Sequence, residues 1–208
     1  MKYKKTGELM MYYPIMLDLT DKKITVIGGG RVAYRKATHF LTFNGQVTVV
    51  SKKFVKSFED SKGNIQLIQD SYRETYLEKS YIVVAATDDK ALNAQIGDYC
   101  QKHQILCNVV SNPSLSSFIM PSFIKRGDLI ISISTGGNSP ALARRIKREL
   151  EGKYNEDYEV YVKLLGQIRE HIVCQALDEA EKATLLNSLL DMNRKGLQFY
   201  LEQLESMK

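Results

Sequence analysis

Ile24-Thr-Val-Ile-Gly-Gly-Gly-Arg-Val-Ala33 is the stretch that decides the fold. Four β-prone residues run into Gly28, Gly29 and Gly30. A helical pattern starts at once, with Val32, Ala33, Ala37, Phe40 and Leu41 able to share one face. This is the strand–turn–helix setting that a G-x-G-x-x-G/A dinucleotide fingerprint needs. Gly28 can take the tight turn. Gly30 lacks a Cβ, so a pyrophosphate can approach the backbone. Ala33 stands in the third position, where a small residue lets helix and strand pack closely. The free N–H groups at the helix start would face the phosphates, and the helix dipole favours negative charge there.

The surrounding sequence supports a βαβ reading. Gln46-Val-Thr-Val-Val50 forms a second strand pattern one helix length later. Tyr81-Ile-Val-Val-Ala-Ala86 is a continuous apolar run, as expected for a parallel strand covered on both faces. It ends in Thr87-Asp88-Asp89, a helical segment follows from Lys90 to Lys102, and Ile105–Val110 makes a fourth short strand. Alternating strands and helices predict an open parallel sheet with ligands at the strands' carboxyl ends.

With 208 residues the chain can bury a Rossmann-like domain and a smaller one. No apolar run approaches the roughly 18–20 residues that span a bilayer, and the basic start is followed by no apolar signal core. A cytoplasmic location is expected, with no membrane partner. The net charge of +5 does not by itself call for nucleic acid, and none is expected. Cys100, Cys107 and Cys174 form no C-x-x-C, and His39, His103 and His171 form no ligand motif, so neither a disulfide framework nor a metal site is predicted.

Four stretches separate along the chain. Residues 1–13 read as a variable leader. Ile15, Leu17 and Leu19 alternate within Pro14–Asp21, which suits a short edge strand or a docking arm. The dinucleotide-binding unit runs to about Val110. Residues 151–208 carry three apolar helix stripes: Tyr158, Tyr161, Leu165, Ile168 and Ile172; Leu185, Leu186, Leu189 and Leu190; Leu197, Tyr200, Leu201 and Leu204. These fit a plain helical core or a substrate-covering, dimer-forming domain.

A second glycine turn lies between them. Leu129–Ser134 alternates like a strand, Thr135, Gly136, Gly137 and Asn138 make a turn, and Ser139-Pro140 is a helix start. The helix Ala141–Leu150 carries Arg144, Arg145, Lys147 and Arg148, with Arg144 and Arg148 one turn apart. The pattern fits a solvated face or an anion site equally well.

Five motifs occur in order: Gly-Gly-Gly-x-Val-Ala-x-Arg-Lys-Ala at 28–37, Ala-Ala-Thr-Asp-Asp at 85–89, Cys-Asn-Val-Val at 107–110, Ser-Phe-Ile-Met-Pro-Ser at 117–122 and Ser-Thr-Gly-Gly-Asn-Ser-Pro-Ala-Leu-Ala-Arg at 134–144. As a set they resemble the precorrin-2 dehydrogenase family, which includes the amino-terminal module of siroheme synthases.

The resemblance implies an α/β fold: a Rossmann-like NAD-binding domain over 14–112, a central α+β dimerisation region over 113–150 and a helical carboxyl-terminal domain over 151–208, assembled as a homodimer. It implies oxidation of precorrin-2 to sirohydrochlorin with NAD as hydride acceptor, in the biosynthesis of sirohaem or cobalamin. Cofactor positions carry over to Gly28, Gly29, Gly30, Arg31 and Val32, and to Ser51, Lys52 and Lys53 after the second strand. Thr87 falls near the expected nicotinamide pocket. Asn108 and Ser111 are the candidate catalytic positions. Ser117, Thr135, Gly136, Gly137, Asn138, Arg144 and Arg148 are the candidate substrate contacts.

Two departures stand out. Lysines follow the second strand where a common NAD fingerprint has an acid, a chemistry that also suits a 2′-phosphate. Ser111 stands where bifunctional siroheme synthases carry an aspartate, and Thr135 where they carry a serine. A serine hydroxyl is no carboxylate base near neutral pH, which argues for a dehydrogenase served by a separate chelatase. The alternatives are a bifunctional dehydrogenase and ferrochelatase, or a non-catalytic NAD-sensing module.

Overall fold

The computed structural model describes residues 11–61 and 63–206, so the leader reading lies outside the described residues for 1–10. The chain divides into two compact units, one ending at Met120 and the other beginning at Pro121.

The first unit holds five parallel strands, β1 (Lys23–Ile27), β2 (Gln46–Ser51), β3 (Gln66–Gln69), β4 (Ile82–Ala85) and β5 (Leu106–Val109), in the order β3-β2-β1-β4-β5. Helix α1 (Arg31–Leu41) follows β1 and α2 (Lys90–Lys102) follows β4. Alternate side chains of one strand enter two cores. Ile24 and Val26 join Val49, Val84 and the α1 residues Ala33, Ala37 and Phe40, whereas Ile27 joins Val50, Val83, Val109 and the α2 residues Ile96 and Cys100. Covering both faces is why the strands read as unbroken apolar runs. Each fully buried valine or isoleucine contributes roughly 1.5–3 kcal/mol.

The structure corrects several sequence readings. Strand β3 was not expected: its ends, Gln66 and Gln69, are exposed at the sheet edge, which masks the apolar signal of Leu67 and Ile68. Pro14–Leu19 forms no strand. Ile15 and Leu17 are exposed and only Leu19 is buried, because alternation without a paired neighbour leaves the backbone unsatisfied. Val32 lies outside the α1 stripe and is 40% exposed.

The second unit opens with an antiparallel hairpin, β6 (Ser122–Arg126) and β7 (Leu129–Ile133), packed by α3 (Pro140–Lys153) through Ile124, Ile133 and Ala143. Strand β6 was also missed, because Lys125 and Arg126 break its apolar pattern. Helices α4 (Asp157–Val173), α5 (Glu179–Ser188) and α6 (Arg194–Ser206) then close around Leu164, Ile168, Ile172, Leu189, Leu197 and Leu201. Leu164 replaces Tyr158 in the α4 stripe, and Leu190, at 60% exposure, leaves the second stripe because the chain there tightens into a 3₁₀ turn. A capping box starts α5: Asp178 accepts from the Glu181 N–H while the Glu181 carboxylate accepts from the Asp178 N–H. Among the described residues no helix is long and apolar enough to cross a membrane, no group of three or more metal-ligating side chains gathers, and the cysteines are free.

Candidate functional site

The sheet order reverses direction between β1 and β4, and both strands end beside the glycine turn. In open α/β sheets this is where ligands bind. The three glycines have different reasons to be there. Gly28 adopts φ +123°, and a Cβ would collide with the Ala86 carbonyl. A Cβ on Gly29 would collide with the Lys53 carbonyl. Gly30 has nothing within 4 Å of where a Cβ would stand. Fold constraints therefore account for the first two glycines and leave the third to a ligand. Gly30 is also the N-cap of α1 and supplies no side-chain cap, so no capping side chain takes up the first-turn N–H groups. Space, free donors and dipole together fit a dinucleotide pyrophosphate.

The loop after β2 is held by its own bonds. The Ser51 hydroxyl donates to the Lys53 carbonyl (2.8 Å), and the Val55 N–H donates to the Gly29 carbonyl (2.9 Å). Ser51 is thus committed to shaping the turn, while Lys52 and Lys53 are exposed, as are Arg31 and Val32. Beyond β3, the Asp70 carboxylate accepts from Tyr76 and Arg73, which holds it below the usual carboxylate range.

On the other side of the turn, Thr87 stands two residues beyond β4 and Ser111 two residues beyond β5. Both meet Asn93, a fully buried residue in the first turns of α2. Asp89 caps that helix by accepting from the Ala91 and Leu92 N–H groups. Sequence reasoning missed Asn93. The available signal was its position on the inward line of α2 with Ile96 and Cys100, where a polar side chain must be satisfied internally.

Asn108, on β5, is 8% exposed, and both polar atoms of its amide are hydrogen-bonded. Its Nδ2 donates to the Phe118 carbonyl (3.1 Å), and its Oδ1 accepts from the Lys36 ammonium (2.8 Å). The Lys36 ammonium also donates to the Met120 sulfur (3.4 Å), so three separate motifs meet at Lys36, which sequence reasoning did not single out. Ser117 is also occupied: its hydroxyl accepts from the Cys107 N–H (2.8 Å), satisfying an edge-strand donor. Burial, with a smaller effect from Arg35, lowers the Lys36 ammonium to about 8. An unfolded lysine titrates near 10.4, so between these values the unfolded chain holds more protons and stability rises with pH. Wild type should gain stability relative to Lys36→Met between pH 8 and 10 in urea titrations. Parallel curves for the two proteins would show that Lys36 is not desolvated.

The second unit carries the other glycine turn. Gly136 and Gly137 adopt φ +59° and +80°, the Ser134 hydroxyl accepts from the Gly136 N–H, and the Thr135 hydroxyl accepts from the Ser139 N–H. Ser139 caps α3 through the Leu142 N–H (3.3 Å) with Pro140 at the first position. The basic face of α3 divides in two. Arg145 pairs with Glu149 and Lys147 with Glu151, while Arg144 and Arg148 are exposed and bonded to no described residue. Asn138 is exposed in the turn.

Comparison with known proteins adds the following. Residues 15–122 match a family described as "Putative NAD(P)-binding", and residues 126–153 match the sirohaem biosynthesis protein central family. The siroheme synthase of Salmonella paratyphi A is 34% identical over 175 residues, covering 83% of this chain and 38% of that protein. The siroheme synthase of Escherichia coli is 34% identical over 187 residues, covering 89% of this chain and 41% of that one. The chain thus spans about two fifths of the length of these curated relatives. Among solved structures, SirC, a precorrin-2 dehydrogenase, is 30% identical with a TM-score of 0.75, covering 94% of this chain and 100% of that one.

Proposed function

The chain belongs to the precorrin-2 dehydrogenase family, and from that premise we propose that it oxidises precorrin-2 to sirohydrochlorin with NAD⁺ as hydride acceptor. The observation that carries the reading is the open space over Gly30 at an uncapped helix start, beside two glycines that the fold itself requires. Substrate loses two hydrogens: one leaves as hydride to the nicotinamide and the other as a proton. The chain's own part is to hold the pyrophosphate on α1 and to fix the ends of β4 and β5. Catalysis is then mainly positioning. In the second unit, the exposed Arg144 and Arg148 beside the glycine turn would take the carboxylates of the tetrapyrrole. The proposal includes the division at 14–112, 113–150 and 151–208, a homodimer and a cytoplasmic location.

The test is NAD⁺-dependent conversion of precorrin-2 by the purified chain, repeated with NADP⁺. NAD⁺ should give the higher kcat/KM. A preference for NADP⁺ would instead assign Lys52 and Lys53 to a 2′-phosphate.

Ser111 gives the proposal its second part. Metal insertion requires pyrrole protons to leave, and a serine of ordinary pKa does not accept them near neutral pH. The chain should dehydrogenate well and insert iron into sirohydrochlorin no faster than the spontaneous rate. Efficient iron incorporation by the unmodified chain would show that another group supplies the base.

A further inference from the structure

Asn93 is buried completely, and its carboxamide makes four hydrogen bonds. Its Oδ1 accepts from the Thr87 N–H (3.1 Å) and from the Thr87 hydroxyl (2.7 Å). Its Nδ2 donates to the Thr87 carbonyl (3.0 Å) and to the Ser111 Oγ (3.3 Å). The orientation follows from chemistry. A backbone N–H can only donate, so the group facing it is the oxygen; a carbonyl can only accept, so the group facing that is the NH₂. Ser111 therefore receives a hydrogen bond on its oxygen. A hydroxyl whose lone pair is taken by a donor has its own proton left to give, and Ser111 is exposed with no described acceptor for that proton.

The location gives this proton a use. In dinucleotide folds the adenosine ribose is read at the end of the second strand. A nicotinamide bound here would then extend to the opposite side of the glycine turn, toward the segments after β4 and β5, where Thr87 and Ser111 stand. We propose that Asn93 is a positioning residue that makes the Ser111 hydroxyl a hydrogen-bond donor to the nicotinamide carboxamide. This rests on the cofactor reading above. It also explains a polar side chain buried in α2 at a place where an apolar one would pack against Ile96 and Cys100.

The test compares NAD⁺ with ADP-ribose, which lacks the nicotinamide ring, by calorimetric titration of the full chain. Asn93→Asp keeps both bonds it accepts from Thr87 and loses both bonds it donates. Ser111→Ala removes the donated proton at an exposed position, and a melting curve records what the unpaired Asn93 N–H costs the fold. Loss of one such bond should weaken NAD⁺ binding about fivefold in either variant, while ADP-ribose affinity stays within about twofold of wild type. The double variant should be no weaker than the single ones, because both remove the same bond. Equal losses for both ligands in Asn93→Asp would reduce Asn93 to a structural role and overturn the proposal. Unchanged NAD⁺ affinity in Ser111→Ala would overturn it as well, even if Asn93→Asp does not fold. A wild-type chain that binds neither ligand would refute the cofactor reading itself.

Discussion

Replacing Gly30 with aspartate will weaken dinucleotide binding by about two orders of magnitude and leave a folded protein. Nothing lies within 4 Å of the Cβ the substitution introduces, so the fold has room for it. The pyrophosphate does not, because the new carboxylate occupies the space above the α1 N–H groups and repels the phosphates. Losing two charge-assisted hydrogen bonds costs about 3 kcal/mol, or roughly a hundredfold in Kd. The adjacent glycines supply the contrast. Alanine at Gly28 or Gly29 would strike the Ala86 or Lys53 carbonyl, so those variants should lose stability rather than affinity alone. Calorimetric titration with NAD⁺, together with a melting curve, separates the two. A folded Gly30→Asp protein with undiminished affinity would refute the cofactor assignment.

Replacing Arg144 and Arg148 together with alanine will raise KM for the tetrapyrrole while KM for NAD⁺ stays within about twofold. Their neighbours Arg145 and Lys147 are already paired with glutamates, so within the cluster 144–148 these two arginines are the cations that remain available. At about 1 kcal/mol for each partly solvated charge-assisted contact, the double variant should raise KM roughly thirtyfold. Added salt should raise KM in wild type and do so less in the variant, since exposed charges are screened. Equal effects on both substrates, or none, would leave α3 with only a solvated charged face.

What the sequence reveals follows from what decides each element. The glycine turn, α1, α2 and the central strands were legible because their apolar periods match structures with one or two covered faces. Strand β3 was not, because exposed glutamines at its ends leave too short an apolar run, and neither was β6, where the half-buried Lys125 and Arg126 break the apolar pattern. The arm before Leu19 alternated like a strand, yet no neighbour offers it a hydrogen-bonding edge. The candidate site was legible where a motif carries its own physics, as at Gly28, Gly30 and Ser139. It was not legible where function depends on long-range contacts. Asn93 meets Ser111 across 18 residues and Lys36 meets Asn108 across 72, and neither spacing leaves a local pattern. Asn108 and Ser117 were singled out for chemistry, and their polar atoms are spent on the protein's own backbone and on Lys36.

The central claim is hydride transfer from precorrin-2 to a nicotinamide held on α1. It is tested most directly by incubating the purified chain with precorrin-2 and NAD⁺ without oxygen, and following sirohydrochlorin and NADH absorbance together. The account predicts that the two rise at the same rate and in one-to-one yield, and that at subsaturating NAD⁺ both slow by about a hundredfold in Gly30→Asp. Binding of NAD⁺ without either rise would make the chain a nucleotide-sensing module, and sirohydrochlorin formed without NADH would show that the dinucleotide is not the hydride acceptor.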